Sequence, residues 1–393
     1  MKRHLIGVGG VGMSALATAM VRLGDEVTGA DRNLATKNIA FLESIGVRCF
    51  PDDGSGVDES VNEVVVSTAI ESDNPGLSKA KALRIPVTHR AKALARTLSS
   101  YKLVAVVGTC GKSTVTAMLG HILAECGFDP MCVNGANVPG WEGAVRFGRG
   151  KYAVAEVDES DKSLVAFDPY AAVVTNASAD HYSKEEMDEV FDAFAVRCTG
   201  PLIDGRNVYG EADVSIPGRH NRNNAFLALE MAKALGCDET KARAALLSFG
   251  GVERRLQKYG ANVYDDYAHN PEKLKAMWTT LAEHHAGGIC VVWRPHGYAP
   301  LRKMMDALAT MFNETIRPQD KLLLLPVYDA GGTTDRSINS DMLVARIARS
   351  EFVGDLDDAY RWIDAHHGEF EAFATCGARD PYLPALAARI AAR

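Results

Sequence analysis

The sequence has no excess of positive charge: 43 Lys and Arg stand against 50 Asp and Glu, for a net charge of −7. A nucleic-acid surface is built from clustered cations, so this balance argues against such a partner. Eight cysteines are scattered through the 393 residues, and no CxxC or Cys/His pair stands at metal-ligand spacing. Reduced thiols and a cytoplasmic location are therefore expected rather than a disulfide framework. No apolar run approaches the ~18 residues of a membrane span. The opening "RHLIGVGG" reads as a strand and lacks the layout of a signal peptide. Low-complexity segments are absent, and no Ser-His-Asp arrangement stands out. What is present is ordinary for a soluble globular protein, with 47% hydrophobic and 24% charged residues in a chain long enough for two or three cores.

Strand and helix patterns alternate in three blocks. To about Ser100, "HLIGVGGVGMSALATAMVRLG" reads strand, glycine turn, helix, and "EVTGAD" and "VNEVVVSTAI" read as strands. In the second block "LVAVVGTCGKSTVT" repeats the strand-turn-helix theme. "YAVAEVDESD" and "YAAVVTNASADHYS" are apolar strands ending in acids, Asn or His, and "PGRHNRNNAFLALEMAKALG" leads into a long helix closed by Gly236. The third block opens near "FGGVERRLQ" and continues with "ANVYDDYAHNPEKLKAMWTTLAE", where Pro271 suits a first helical turn. "GICVVWRPHG" and "DKLLLLPVYDAGG" are further strand-to-loop units. Such alternation predicts an α/β chain with doubly wound parallel sheets.

Chemistry concentrates where strands end. Gly108, Thr109, Cys110 and Gly111 follow an apolar strand, and Lys112, Ser113 and Thr114 open a helix. Backbone amides of such a turn point at an anion, and the helix N-terminus adds partial positive charge. Lysine reaches the outer phosphates of a nucleotide, and a hydroxyl reaches Mg²⁺. The spacing is a short form, G-T-x-G-K-[ST], because Val106 stands where the longer G-x-x-x-x-G-K-[ST] has glycine. Among Glu156, Asp158, Glu159 and Asp161, Glu156 suits a hard-cation ligand best. His181 ends a strand at the same predicted sheet edge. Gly7-x-Gly9-x-x-Gly12, with Asp31 closing the next strand, is a diphosphate fingerprint. Alone it suits NAD, FAD or a nucleotide sugar. An NAD-dependent oxidoreductase would leave Lys112 and the acidic strand end without a role.

Taken in order, "HLIGVGGVGMSALA", "VVGTCGKSTVT", "AEVDESDKSL", "VVTNASADH", "PGRHNRNNA", "FGGVERRLQ" and "YDDYAHNPEKL" resemble the Mur ligase family, above all its alanine-adding branch. The resemblance covers nearly the whole chain. It implies three domains: a Rossmann-like N-terminal domain holding a UDP-sugar at 1–98, a P-loop ATPase-like central domain at 99–251, and a Rossmann-like ligase domain at 252–393. It implies an ATP- and Mg²⁺-dependent ligase that activates a nucleotide-linked carboxylate as an acyl phosphate for attack by an amine. The acceptor expected is a UDP-sugar acid of peptidoglycan synthesis; a different acid, or a peptide as the amine, is the alternative. By the same resemblance, Gly108 to Thr114 bind ATP, with Lys112 on the outer phosphates. Ser113, Glu156 and His181 hold the metal. His220, Asn221 and Asn224 lie at the adenine side, and Arg254 or Arg255, Asp265, Tyr267 and His269 close on ATP. Gly9, Gly10, Val11, Gly12, Met13, Ser14 and Asp31 hold the uridine diphosphate. "AFAVRC" lacks the lysine that some members carbamoylate. Cys110 and Ser113 depart from the family's usual His and Thr, and the central domain is short.

Overall fold

The computed structural model describes residues 1–158, 163–177, 184–329 and 335–393. Among them, strands pair into three sheets with buried apolar runs at their centres and more exposed strands at their edges. The first consists of β1 (Lys2–Ile6), β2 (Glu26–Asp31), β3 (Arg48–Pro51), β4 (Glu63–Val66) and β5 (Val87–His89), in the all-parallel order β3-β2-β1-β4-β5. The second contains β6 (Lys102–Val107), β7 (Met131–Val133), β8 (Val145–Arg146), β9 (Tyr152–Glu156), β10 (Ala171–Val174) and β11 (Leu202–Asp204), ordered β11-β10-β6-β9-β7-β8. The third contains β12 (Gln257–Tyr259), β13 (Val263–Asp266), β14 (Ile289–Trp293), β15 (Lys321–Leu324), β16 (Ser350–Phe352) and β17 (Ala372–Cys376), ordered β12-β13-β17-β14-β15-β16. Only the β7–β8 and β12–β13 pairs are antiparallel. Parallel strands are covered on both faces and so read as unbroken apolar runs. Ile289 to Trp293 and Ala372 to Cys376 are buried at every position.

The chain forms two compact units, Met1–Ile216 with Asn221–Val252, and Pro217–His220 with Glu253–Arg393. The first two sheets share the former because one apolar cluster runs through both. Leu5, Leu16 and Met20 belong to it, as do Leu103, Val107, Phe167 and Phe191. The helix Val11–Arg22 packs on β7 and β8, and a two-oxygen Arg22–Glu142 ion pair at 2.7 Å joins its last turn to the β7–β8 connection. The 98/99 boundary expected from the sequence thus falls inside one packed unit.

The helix starts follow local chemistry. Asn270 accepts from the Lys273 N–H with Pro271 in the first turn, as its sequence predicts. The long helix Arg219–Ala234 ends before Gly236, which adopts φ +98°.

Candidate active site

The β6 run is buried from Leu103 to Val107 and then breaks at Gly108, whose φ is +131°. A Cβ there would collide with Thr175 Oγ1. Gly111, at φ +83°, caps the helix Lys112–Glu125, and a Cβ there would lie 2.5 Å from Asn224 Oδ1. Both positions require glycine on conformational and steric grounds.

The turn between them is pinned from the end of β10. Asn176 Oδ1 accepts from Thr109 Oγ1 at 2.7 Å and from the Cys110 N–H at 3.0 Å. The Cys110 carbonyl accepts from Thr175 Oγ1 at 2.6 Å and from Asn176 Nδ2 at 2.9 Å. Lys112 folds its ammonium back onto the Gly108 carbonyl at 2.6 Å, so the charge hangs over the turn. Ser113 and Thr114 are buried in the first helical turn. Thr175 and Asn176 were missed in the sequence, although they stand in the quoted "VVTNASADH". The signal was the polar pair directly after a buried strand.

Parallel pairing brings the acids to the same edge. Val106 is in register with Glu156, and Val107 with Val174, so the strands flanking β6 both end beside the turn. Glu156 accepts from the Gly135 N–H at 2.7 Å through one carboxylate oxygen. Nearby, Asn134 is buried with Oδ1 accepting no hydrogen bond among the described residues. Asp158 lies two residues on and faces Arg90 at 3.8 Å. Glu159, Asp161 and His181 lie outside the described residues, among which no three His, Cys, Asp or Glu gather as a metal cluster. Ser113 and Glu156 offer oxygen donors only, which fits a magnesium ion that keeps most of its waters.

On the helix Arg219–Ala234, Asn221 and Asn224 face inward with 4% and 7% exposure, while His220 is exposed on the same turn. Asn224 is the residue that meets Gly111.

In the first sheet, Gly7 takes φ +78° and the Gly7 and Val8 amides donate to the Ala30 carbonyl. Asp31 accepts from the Gly9 N–H at 2.9 Å and from the Asn33 N–H at 2.9 Å. Its carboxylate thus braces the glycine loop. Asn38 holds the Gly9 carbonyl at 2.9 Å, and the Gly10 amide turns back to Gly7. Val11 and Gly12 open the helix with N–H groups that no acceptor meets among the described residues. Met13 and Ser14 are buried behind them.

The third sheet organises Arg254. This residue has φ +58°, and its guanidinium binds Asp265 Oδ2 at 2.8 Å, the Gly377 carbonyl at 2.6 Å and the Asp380 carbonyl at 3.3 Å. Asp265 has no exposed surface, and Thr375 Oγ1 donates to its other oxygen at 2.6 Å. Burial pushes the Asp265 pKa up to about 6 against the opposing pull of Arg254. Both Asp265 oxygens are thus engaged, one by Arg254 and the other by Thr375. Arg254 and Arg255 lie over the Tyr267 ring at 5.3 and 5.0 Å. His269 meets His296 edge-on at 4.8 Å between centroids. Thr375, Gly377 and Asp380 escaped the sequence reading because β17 did. "FATCG" is short, yet it becomes a central strand of its sheet.

This geometry can be set beside known proteins. The family model described as Mur ligase family, catalytic domain, matches residues 2–102, and the one described as Mur ligase, glutamate ligase domain, matches residues 252–379. A UDP-N-acetylmuramate–L-alanine ligase of Gloeobacter violaceus is 31% identical over 98% of this chain and 95% of its own length. One from Rubrobacter xylanophilus is 33% identical over 89% of each chain. Among solved structures, the UDP-N-acetylmuramate-alanine ligase of Thermotoga maritima superposes with a TM-score of 0.83 at 24% identity, covering 100% of this chain and 99% of its own. A murein peptide ligase from Psychrobacter arcticus gives 0.67 at 18% identity, covering 99% and 98%. Sharing more than 30% identity with such a relative across nearly its whole length, the chain belongs to the Mur ligase family of ATP-dependent, amide-forming ligases.

Proposed function

We propose that this ligase joins the carboxylate of UDP-N-acetylmuramate to the amino group of L-alanine, with ATP and Mg²⁺, as a step of peptidoglycan precursor synthesis. The observation that carries the reading is the Gloeobacter violaceus alanine ligase, matched over 98% of this chain and 95% of its own. In this reading the Gly108–Thr114 turn cradles the phosphates of ATP, and Lys112 leaves the Gly108 carbonyl for the transferring group. Ser113, Glu156 and His181 hold the magnesium ion, which neutralises phosphate charge when bound. Asn221 and Asn224 order the adenine side with His220, and His269 and Arg254 belong to the ATP site, with Asp265 as the anchor of Arg254. The loop from Gly9 to Ser14, braced by Asp31, takes the uridine diphosphate.

The substrate carboxylate attacks the γ-phosphate and expels ADP, and the amine then displaces phosphate from the acyl phosphate and gives up its proton. Nothing in that sequence calls for a protein nucleophile; alignment and charge neutralisation supply the acceleration. Among the described residues no helix is long and apolar enough to cross a membrane. Small-molecule substrates alone, a cytoplasmic location, and neither a nucleic-acid nor a membrane partner complete the reading.

The test is phosphate release from ATP with UDP-sugar acids and amino acids supplied pairwise. The expected result is turnover that requires UDP-N-acetylmuramate and is fastest with L-alanine. Faster turnover with a peptide as amine donor would replace the alanine assignment.

A further inference from the structure

The first residue of the helix Arg90–Thr97 stands at the end of β5, on the sheet edge where the glycine loop follows β1. From there the Arg90 side chain reaches across the edge to the start of the helix Val11–Arg22. A Cβ built on Gly12 would lie 2.9 Å from Arg90 Nη1, so the guanidinium rests against the Gly12 backbone. The side chain is 21% exposed. Its guanidinium makes no hydrogen bond among the described residues, and its one ion pair, to Asp158, is long at 3.8 Å. A guanidinium carries five donors, and among the described residues only the long Asp158 pair engages them. The amides of Val11 and Gly12 are idle beside it.

We propose that Arg90 is a substrate-binding residue of this ligase, closing the glycine loop over the diphosphate of the nucleotide-sugar substrate. The assignment rests on the nucleotide-sugar reading of that loop given above. Two helix-start amides supply direction and partial charge, and Arg90 supplies the full charge and a planar fork that fits two phosphate oxygens. Asp158 holds the guanidinium in the meantime. Its carboxylate is 41% exposed, so water weakens the pair and a dianion competes with it successfully. Asp158 stands two residues past Glu156, so capture of Arg90 by the diphosphate also withdraws a cation from the acidic strand end.

Calorimetry with uridine 5′-diphosphate and inorganic pyrophosphate tests this on the full chain. Lys112→Ala is carried in every variant so that the ATP turn does not contribute. Arg90→Met should weaken both ligands about ten- to hundredfold, the loss expected for charged hydrogen bonds. Arg90→Lys should recover part of that loss, since it restores charge without the fork. Asp158→Asn should bind as tightly as the parent or more so, because it removes the competitor. A purely structural Arg90–Asp158 pair predicts matched effects from both sides, seen as equal drops in melting temperature with unchanged affinity. That outcome overturns the proposal and leaves the loop assignment standing. Failure of the parent to bind either ligand overturns the nucleotide-sugar reading and this proposal with it.

Discussion

Asn224 closes against Gly111, its Oδ1 lying 2.5 Å from where a Cβ on that glycine would be. The contact joins the phosphate turn to the helix Arg219–Ala234 at Gly111, while Thr175 meets the turn at Gly108. Gly111→Ala should therefore meet two penalties, the steric one and the strain of φ +83°, the latter about 1 kcal/mol. We expect ATP turnover to fall at least tenfold. Gly111→Ala with Asn224→Ala should regain part of the loss, since space returns while the backbone strain remains. Steady-state kinetics in ATP on the two single variants and the double decides it. Full activity in Gly111→Ala would show that the turn tolerates displacement.

Lys112 currently spends its ammonium on the Gly108 carbonyl. That contact lies within the turn and adds little to the fold. Lys112→Ala should keep its melting temperature within a few degrees and lose more than a hundredfold in turnover, about 3 kcal/mol or more of barrier. Retention of a tenth of the parent rate would remove Lys112 from the phosphates.

Much of this site was legible in the sequence because parallel sheets announce themselves. A buried strand, a glycine turn and a helix start occur in order, and the chemistry falls at that junction. Gly108 to Ser113 and Gly7 to Gly12 stand at such junctions, as the sequence pattern predicts. What escaped was set by pairing between distant segments. Nothing local in "TNAS" says that Asn176 will hold the Cys110 peptide from the neighbouring strand. Asp265 and Asp266 are adjacent acids at the end of β13, and strand direction alone sinks the first of them under Arg254. β17 is five residues long and lies near the chain end, yet it enters its sheet between β13 and β14. The shared core of the first two sheets was equally silent, because sequence periodicity does not say which helix face meets which sheet. The isolated 1–98 segment would expose part of that core, so the full chain is the proper material for binding work.

Asp265 makes a pH prediction with a definite sign. Its folded pKa is pushed up to about 6 from an ordinary 3.8, so the native state binds this proton more tightly than the unfolded state does. The associated stability is fully present below about pH 3.8 and is lost as pH rises through about 6. Asp265→Asn lacks this dependence. The stability of the parent relative to Asp265→Asn should therefore be greater at pH 4.5 than at pH 7.5, by about 3 kcal/mol at most. Urea unfolding of both proteins at the two pH values measures the gap, and an equal gap at both would contradict the assignment. Above about pH 6 the ionised carboxylate grips Arg254, so turnover should also show an acid limb near that value, absent in Asp265→Asn.

Cys110 supplies the last prediction. Cys132, Cys237, Cys290 and Cys376 are buried, and burial pushes the Cys132 and Cys237 thiols up to about 12 and those of Cys290 and Cys376 upward as well. Cys49 is held at about 11 for the same reason. Such thiols are slow nucleophiles because the thiolate is the reactive form. Cys110 is partly exposed in a turn of amides beside Lys112, at a helix start. Those surroundings favour an anion such as phosphate. Its peptide N–H and carbonyl are already fixed by Asn176 and Thr175. Brief treatment with iodoacetamide should thus label Cys110 ahead of the five thiols named above, and Mg-ATP should protect it by covering the turn. Labelling should block turnover by filling the phosphate site, while Cys110→Ala should keep substantial activity. Peptide mapping by mass spectrometry reads all eight positions at once. Equal labelling of Cys110 and the buried thiols, or labelling indifferent to Mg-ATP, would reduce the cysteine to a small apolar filler in the turn.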